Sequence, residues 1–299
     1  MKTIYVKLLF ILLLLLCIHF FPYSDIKTSL SSHSQQTKEK DYIVTVKTSQ
    51  KTLHLELEDY LVGVIAGEMP VSFEIEALKA QAVASRTFVL SRHLNVDNTT
   101  NSQVYLDDAQ MKKNWGKDYQ KNKEKIKKAI QSTHYEVMTY KGKYISALFF
   151  SSSNGKTANC EDYFNGEVAY LKAVDSHWDL TIDPTNTRTK TFSKTKLANL
   201  FHISSPDIKI TSYTSSGYVE KVNINGKIYS GREIREKLNL ASSSFQISLT
   251  SKGYTFTTSG NGHGVGMSQY GANYLANQGF NYEYILKYYY KDVIISSIN

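Results

Sequence analysis

The chain of 299 residues holds two cysteines, two tryptophans and four prolines. Cys17 lies in an apolar segment that would not share a compartment with Cys160, so no disulfide framework can be drawn, and the two thiols assemble no zinc signature. The glycine-rich stretch near the C-terminus lacks the Gly-Lys-Ser/Thr ending of a phosphate loop. Acid is also scarce: 27 Asp and Glu stand against 35 Lys and Arg, leaving a net charge of +8. That balance suits an anionic surface such as an envelope, a membrane or a nucleic acid, and alone it selects none of them. Much of the excess, from Lys112 to Lys128, is spread round a helix-like stretch with Ile126 and Ile130 facing inward. A solvated helix face and a polyanion site both fit that pattern.

What is present begins with an apolar run. Residues 8–21, LLFILLLLLCIHFF, follow Lys2 and Lys7, the layout of a signal-anchor or signal peptide with its N-terminus in the cytoplasm. No small-x-small cleavage site follows, and Leu16 is a poor residue to precede a lipidated Cys17, so a retained single-pass anchor over 1–23 is expected. Residues 24–41, rich in Ser, Thr, Gln and Lys, read as a flexible tether.

A folded domain is expected over 42–299. YIVTV and LHLEL alternate as paired strands and lead into a first helix that Pro70 stops. FEIEALKAQAVASRTFVLSR is a second helix, whose Ala77, Ala80, Ala82 and Ala84 allow a partner backbone to approach closely. Asn95 to Asn101 reads as a loop, QVY as the start of another ordered element, and YEVMTYKGKYISALFF as a hairpin turning at Lys141-Gly142-Lys143. Residues 177–258, rich in Thr and Ser with weak alternation, read as a smaller β subdomain inserted between two halves of the core, with one short helix in GKIYSGREIREKL. In the last stretch Ser268 or a neighbour caps a helix ending at Gln278-Gly279, and Asn281 caps a final Tyr-rich helix.

One residue is out of pattern. Leu57, Leu61, Val64 and Ile65 form the buried stripe of the first helix, and Glu68 continues that stripe four residues after Val64. Burial disfavours the charged form of a carboxyl group, so a Glu there tends to keep its proton near neutral pH and can act as a general acid. A helix-terminal Glu pointing into solvent is the ordinary alternative. Arg86 on the second helix can orient a carboxylate or hold a substrate anion, or it can lie over the core as a surface Arg. The loop Ser151 to Gly155 follows a buried strand, where function and a plain turn both occur.

EDYLVGVIAGEMP, EALKAQAVASRTFV, FFSSSNGKTANCEDYF, SGREIREKL and GHGVGMSQYGA, in that order, resemble the stage II sporulation protein D family from about residue 42 to the C-terminus. The resemblance implies a peptidoglycan lytic transglycosylase that cuts between N-acetylmuramic acid and N-acetylglucosamine without water, leaving 1,6-anhydro ends, during forespore engulfment. The family's catalytic Glu falls on Glu68. Gln81 and Arg86 match its second-helix motif and are expected to position substrate or support Glu68. Ser152, Ser153 and Asn154 match its polar loop and are expected to line a groove. His263, Gly264, Gly266, Ser268 and Gln269 match its glycine motif and are expected to form groove wall and support rather than to move protons. For His263 itself, a satisfied structural histidine and a direct substrate contact both stand.

The implied fold is α+β: a mixed helical and β core with a substrate groove and the β-rich insert, preceded by one N-terminal transmembrane helix. Implied partners are peptide-free glycan strands, a sporulation amidase and a membrane protein of the engulfment complex. The expected location is the mother-cell membrane, with the domain on the extracytoplasmic side facing the forespore. No cofactor is expected. Some family members bind zinc through Cys-x-x-x-His-Cys-Gln, but the matching positions here are Asp97, Asn101 and Ser102, without thiolate or imidazole, so no zinc site is expected. Related domains are amidase enhancers, which leaves a non-catalytic glycan-binding regulator as the second reading. A nucleic-acid binder conflicts with the export signal.

Overall fold

The computed structural model describes residues 42–99, 102–164 and 166–298. The expected anchor (1–23) and tether (24–41) lie outside the described residues. Among the described residues no helix is long and apolar enough to cross a membrane.

The domain is a mixed α/β structure with several small sheets. Strands β1 (Ile43–Lys47) and β2 (Thr52–Glu56) pair antiparallel, with Val44 and Val46 buried. Helix α1 (Leu57–Glu68) starts at once and stops where Met69 turns extended before Pro70. Helix α2 (Ile75–Ser91) is buried at every residue from Ala77 to Leu90, with the exception of Lys79, because small Ala and Ser side chains let neighbours close on all sides of it. Asn95–Asp97 is not a loop but strand β3, parallel to β1. Three residues are too few for alternation to register in a sequence, and the pairing is made by backbone groups. QVY forms no regular element; Val104 and Tyr105 lie against Gly67 and Gly63 of α1.

Helices α3 (Asp108–Trp115) and α4 (Tyr119–Gln131) follow. Asp107 and Gln110 form a capping box on α3, and Ile126, Ala129 and Ile130 turn α4 inward while its lysines stay outside. Strands β4 (Glu136–Tyr140) and β5 (Lys143–Tyr144) make the expected hairpin. Strand β6 (Phe149–Phe150) leads into the polar loop, followed by two helical turns, α5 (Cys160–Tyr163) and α6 (Asp179–Ile182).

A second hydrophobic core is built by residues 192–256, around Phe192, Leu197, Val222, Ile234 and Phe256. Its elements are β7 (Thr187–Phe192), α7 (Lys194–Phe201), β8 (Ile208–Tyr213), β9 (Val219–Ile224), β10 (Lys227–Ser230), α8 (Gly231–Leu238), β11 (Phe245–Thr250) and β12 (Gly253–Ser259). They form two three-stranded sheets, β10-β9-β8 and β11-β12-β7. The chain then returns through β13 (Met267–Ser268), parallel to β6, to α9 (Gln269–Asn277) and α10 (Tyr282–Tyr289), which pack on α2. Strand β14 (Ile294–Ser297) closes the sheet beside β4.

Candidate active site

Glu68, a partly exposed residue, is the last of α1, and its carboxyl group accepts the Val104 N–H at 2.5 Å. Two glycines one turn apart make that bond possible. A Cβ on Gly67 would come within 2.8 Å of the Val104 carbonyl, and one on Gly63 within 2.6 Å of the Leu106 carbonyl. The bare helix face therefore takes the extended segment 103–106 directly against it, and the Leu106 N–H also donates to the Gly63 carbonyl at 3.1 Å.

Burial raises the Glu68 pKa to about 7, against the lowering effect of the Val104 N–H. Near neutral pH a large share of the group carries its proton. Tyr60, two turns earlier and fully buried, stacks on Tyr105 and donates to Gln103 Oε1 at 3.0 Å. Burial, and then the charge of Glu68, hold its phenol protonated.

The backbone of Glu68 is held from the far end of the chain. Gln269 Nε2 donates to the Glu68 carbonyl at 2.9 Å and to Gln81 Oε1 at 3.3 Å, and Gln81 Nε2 donates to Ser85 Oγ at 3.0 Å. Gln81 is fully buried and Gln269 nearly so. Through these bonds Gln269 braces the end of α1, and Gln81 holds Gln269.

Several residues expected to contact substrate have protein partners of their own. Arg86 is fully buried; its Nε and Nη2 donate to the two Glu58 carboxylate oxygens, each at 2.7 Å, and its Nη1 to the Glu136 carbonyl at 3.0 Å. With all three of its nitrogens engaged, the fork ties α2 to the start of α1 in a place that solvent does not reach. Ser152 and Ser153 are buried behind the loop surface. Ser152 donates to Asp183, and the Ser153 N–H donates to Asp179 Oδ2 at 2.7 Å. Asn154 Nδ2 bridges to the Ser216 carbonyl and Ser244 Oγ, both at 3.0 Å, clamping the loop to the second core.

His263 sits among Phe150, Tyr163 and Phe164, with ring centroids 5.5 to 5.8 Å away. Its Nδ1 accepts the Val265 N–H at 3.1 Å. Burial and the nearby Arg235 guanidinium push its pKa down to about 3, so the ring is neutral and built into the wall. Gly264, at φ +83°, leaves room for Tyr218, whose hydroxyl would lie 2.6 Å from a Cβ there. Ser268 is the N-cap of α9, accepting the Gly271 N–H at 3.0 Å. Both are structural parts rather than groove contacts.

Sequence reasoning missed Val104, Gly63, Gly67 and Tyr60. The Gly-x-x-x-Gly spacing within VGVIAGE was the available signal for a close backbone approach. At the positions matching a zinc motif in some relatives, Asp97 accepts the Ser102 hydroxyl at 3.1 Å, and Asn101 lies outside the described residues.

The sequence model of the stage II sporulation protein family matches residues 45–140. Stage II sporulation protein D of Bacillus amyloliquefaciens is 45% identical over 258 residues, covering 81% of this chain and 75% of that protein. Its counterpart in Bacillus subtilis (strain 168) is 43% identical, covering 83% of this chain and 76% of the relative. A protein of the same strain named "Amidase enhancer" is 29% identical and covers 79% of this chain but 40% of its own length. The fold and its helix-end acid thus sit in a mixed α/β domain of sporulation proteins. The chain belongs to the stage II sporulation protein D family.

Proposed function

We propose that the chain is a peptidoglycan lytic transglycosylase that cuts glycan strands between N-acetylmuramic acid and N-acetylglucosamine with Glu68 as its single acid and base. The observation that carries this reading is a partly exposed Glu at a helix end whose carboxyl group is buried enough for its pKa to rise to about 7. Protonated Glu68 donates to the glycosidic oxygen as the C1–O bond breaks. The carboxylate so formed takes the proton of the C6 hydroxyl of the same muramic sugar, whose oxygen closes on C1 to give the 1,6-anhydro end. Atoms and protons balance within the substrate and one side chain, so a second carboxylate at glycosidase spacing is not needed. The Val104 N–H fixes the oxygen it bonds and favours the carboxylate, which offsets part of the rise that burial produces.

The strands it acts on are peptide-free, supplied by a sporulation amidase. The chain works in the engulfment complex with that amidase and a membrane protein, held by the expected anchor segment 1–23 in the mother-cell membrane with the domain facing the forespore. No cofactor is assigned. The test incubates the purified chain with peptide-free glycan strands and looks for 1,6-anhydro ends by mass spectrometry; wild type releases them and Glu68→Gln does not.

The relative named "Amidase enhancer" favours one other reading, a non-catalytic regulator that binds glycan or an amidase. Wild-type protein that released no anhydro product but raised the rate of a cell-wall amidase would establish that reading instead.

A further inference from the structure

Glu68 is held at both ends by different partners: the Val104 N–H bonds its carboxyl group, and Gln269 Nε2 bonds its carbonyl. A third amide, that of Gln103, joins them. Its Oε1 accepts the Tyr60 hydroxyl at 3.0 Å, and its Nε2 donates to the Ser85 carbonyl at 3.4 Å. Ser85 Oγ accepts Gln81 Nε2 at 3.0 Å, and Gln81 Oε1 accepts Gln269 Nε2 at 3.3 Å. The bonds close a ring that leaves Glu68 by its carbonyl, crosses the first residue of α9 and the middle of α2, and returns through Gln103 and Val104 to the carboxyl group.

Tyr60, Gln81, Ser85 and Gln103 are fully buried. Burying polar groups costs free energy that apolar side chains of like volume avoid, unless every one is bonded. Among the described residues, the buried side-chain atoms left without a partner include none of this ring, and a satisfied buried network is rigid. The Val104 N–H belongs to the planar peptide unit that begins at Gln103. A Gln103 side chain gripped from α1 by Tyr60 and from α2 by Ser85 therefore fixes the start of that unit, and with it the direction of the N–H. Tyr60 is within electrostatic reach of Glu68, Tyr105 and Asp97 and stays protonated, so the ring itself brings no charge to the acid.

We infer that Gln103 is a positioning residue of the Glu68 site, closing a ring of buried hydrogen bonds that aims the Val104 N–H at the acid while Gln269 holds the acid's backbone. Its effect on the reaction rests on the proposed function; its effect on Glu68 does not, and the two are read separately.

Nuclear magnetic resonance on the full-length chain follows the Glu68 carboxyl carbon, assigned with Glu68→Gln, and the hydrogen exchange of the Val104 N–H. Gln103→Met keeps the side-chain bulk and removes both bonds. The Glu68 midpoint, about 7 in wild type, is expected to rise by about one pH unit, as for loss of one bond to a charged group, and Val104 exchange to quicken about tenfold. Thr87→Ala is the control, since Thr87 is buried on the same helix and bonds the Val83 carbonyl and the Met138 N–H outside the ring. It is expected to lower the melting temperature and leave both readings as in wild type. Tyr60→Phe keeps the stack on Tyr105 and removes one bond, so it is expected to quicken Val104 exchange by a smaller factor. On peptide-free glycan strands Gln103→Met is expected to lose about ten- to a hundredfold in kcat at the wild-type KM. An unchanged Glu68 midpoint, unchanged Val104 exchange or wild-type kcat in Gln103→Met overturns the inference, as does Thr87→Ala moving the readings equally. Should Gln103→Met not fold, wild-type Val104 exchange in Tyr60→Phe overturns it. A wild type that makes no anhydro product, with both readings moved by Gln103→Met, would sink the transglycosylase reading and leave Gln103 as the residue that positions Glu68.

Discussion

The end of α1 and the turn around Asp179 each bury a carboxyl group, and they use it in opposite ways. Glu68 is partly exposed and has a single N–H donor, from Val104. Asp179 is fully buried, and its carboxyl is bonded by the Ser153 N–H and drawn down by the hydroxyls of Ser153, Ser268 and Ser176. Burial dominates both, raising Glu68 to about 7 and Asp179 to about 6. A raised pKa therefore does not mark the chemistry here. Exposure separates the two: Glu68 is partly exposed, whereas Asp179 is fully buried, with its Oδ1 left without a hydrogen-bond partner.

The largest effect belongs to Glu68. Glu68→Gln keeps the oxygen that accepts the Val104 N–H and loses the transferable proton, so release of anhydro product is expected to fall by about 10²–10⁴-fold or to background. The same change sharpens the comparison through stability. The native carboxyl keeps a proton between about 4.5 and about 7 that the unfolded chain has released, so stability falls as pH rises through that window. Thermal melts should show Glu68→Gln gaining about 1–3 kcal/mol on wild type between pH 5 and pH 8. A constant gap between the two proteins across that range would remove the burial argument for Glu68.

Asp179 is expected to behave as a structural acid. Asp179→Ala leaves the buried Ser153 N–H without its acceptor, and should cost about 1–3 kcal/mol in denaturant unfolding. Activity per folded molecule should hold. If Asp179→Ala unfolded at the wild-type denaturant concentration but lost activity, the division between the two acids would be wrong.

The sequence carried the helices well, because each has a local cause that a pattern reader can see. The stripe ending at Glu68, the alanines of α2 and the caps Ser268 and Asn281 are all short-range signals. The site was legible only where it shared that range. Glu68 broke a periodicity, whereas the Arg86 pair with Glu58 spans 28 residues and the Gln269 bond to the Glu68 carbonyl spans 201. Such partners are fixed by topology, and a polar residue in a motif reads alike whether it faces a substrate or, as with Ser152 and Asn154, a neighbouring loop. Strand β3 and the segment 103–106 were hidden for a related reason: their own backbone groups hold them, β3 through its pairing with β1 and 103–106 through N–H bonds to Glu68, Asn98 and the Gly63 carbonyl, and side-chain patterns do not record that.

The smallest effect tests how the Glu68 site is assembled. Gly67→Ala improves helix propensity by roughly 1 kcal/mol, yet its methyl would lie 2.8 Å from the Val104 carbonyl, a backbone atom that must move. Moving it withdraws the Val104 N–H from Glu68, and that N–H is what lowers the Glu68 pKa. The alkaline limb of kcat/KM, expected near pH 7 in wild type, should therefore shift to higher pH, with about a tenfold loss at its plateau from the misplaced oxygen. General loosening of the helix would lower the plateau and leave the limb where it was. A limb that stayed in place in Gly67→Ala would show that burial alone sets the Glu68 proton and that the 103–106 segment is packing, as Asp179 is.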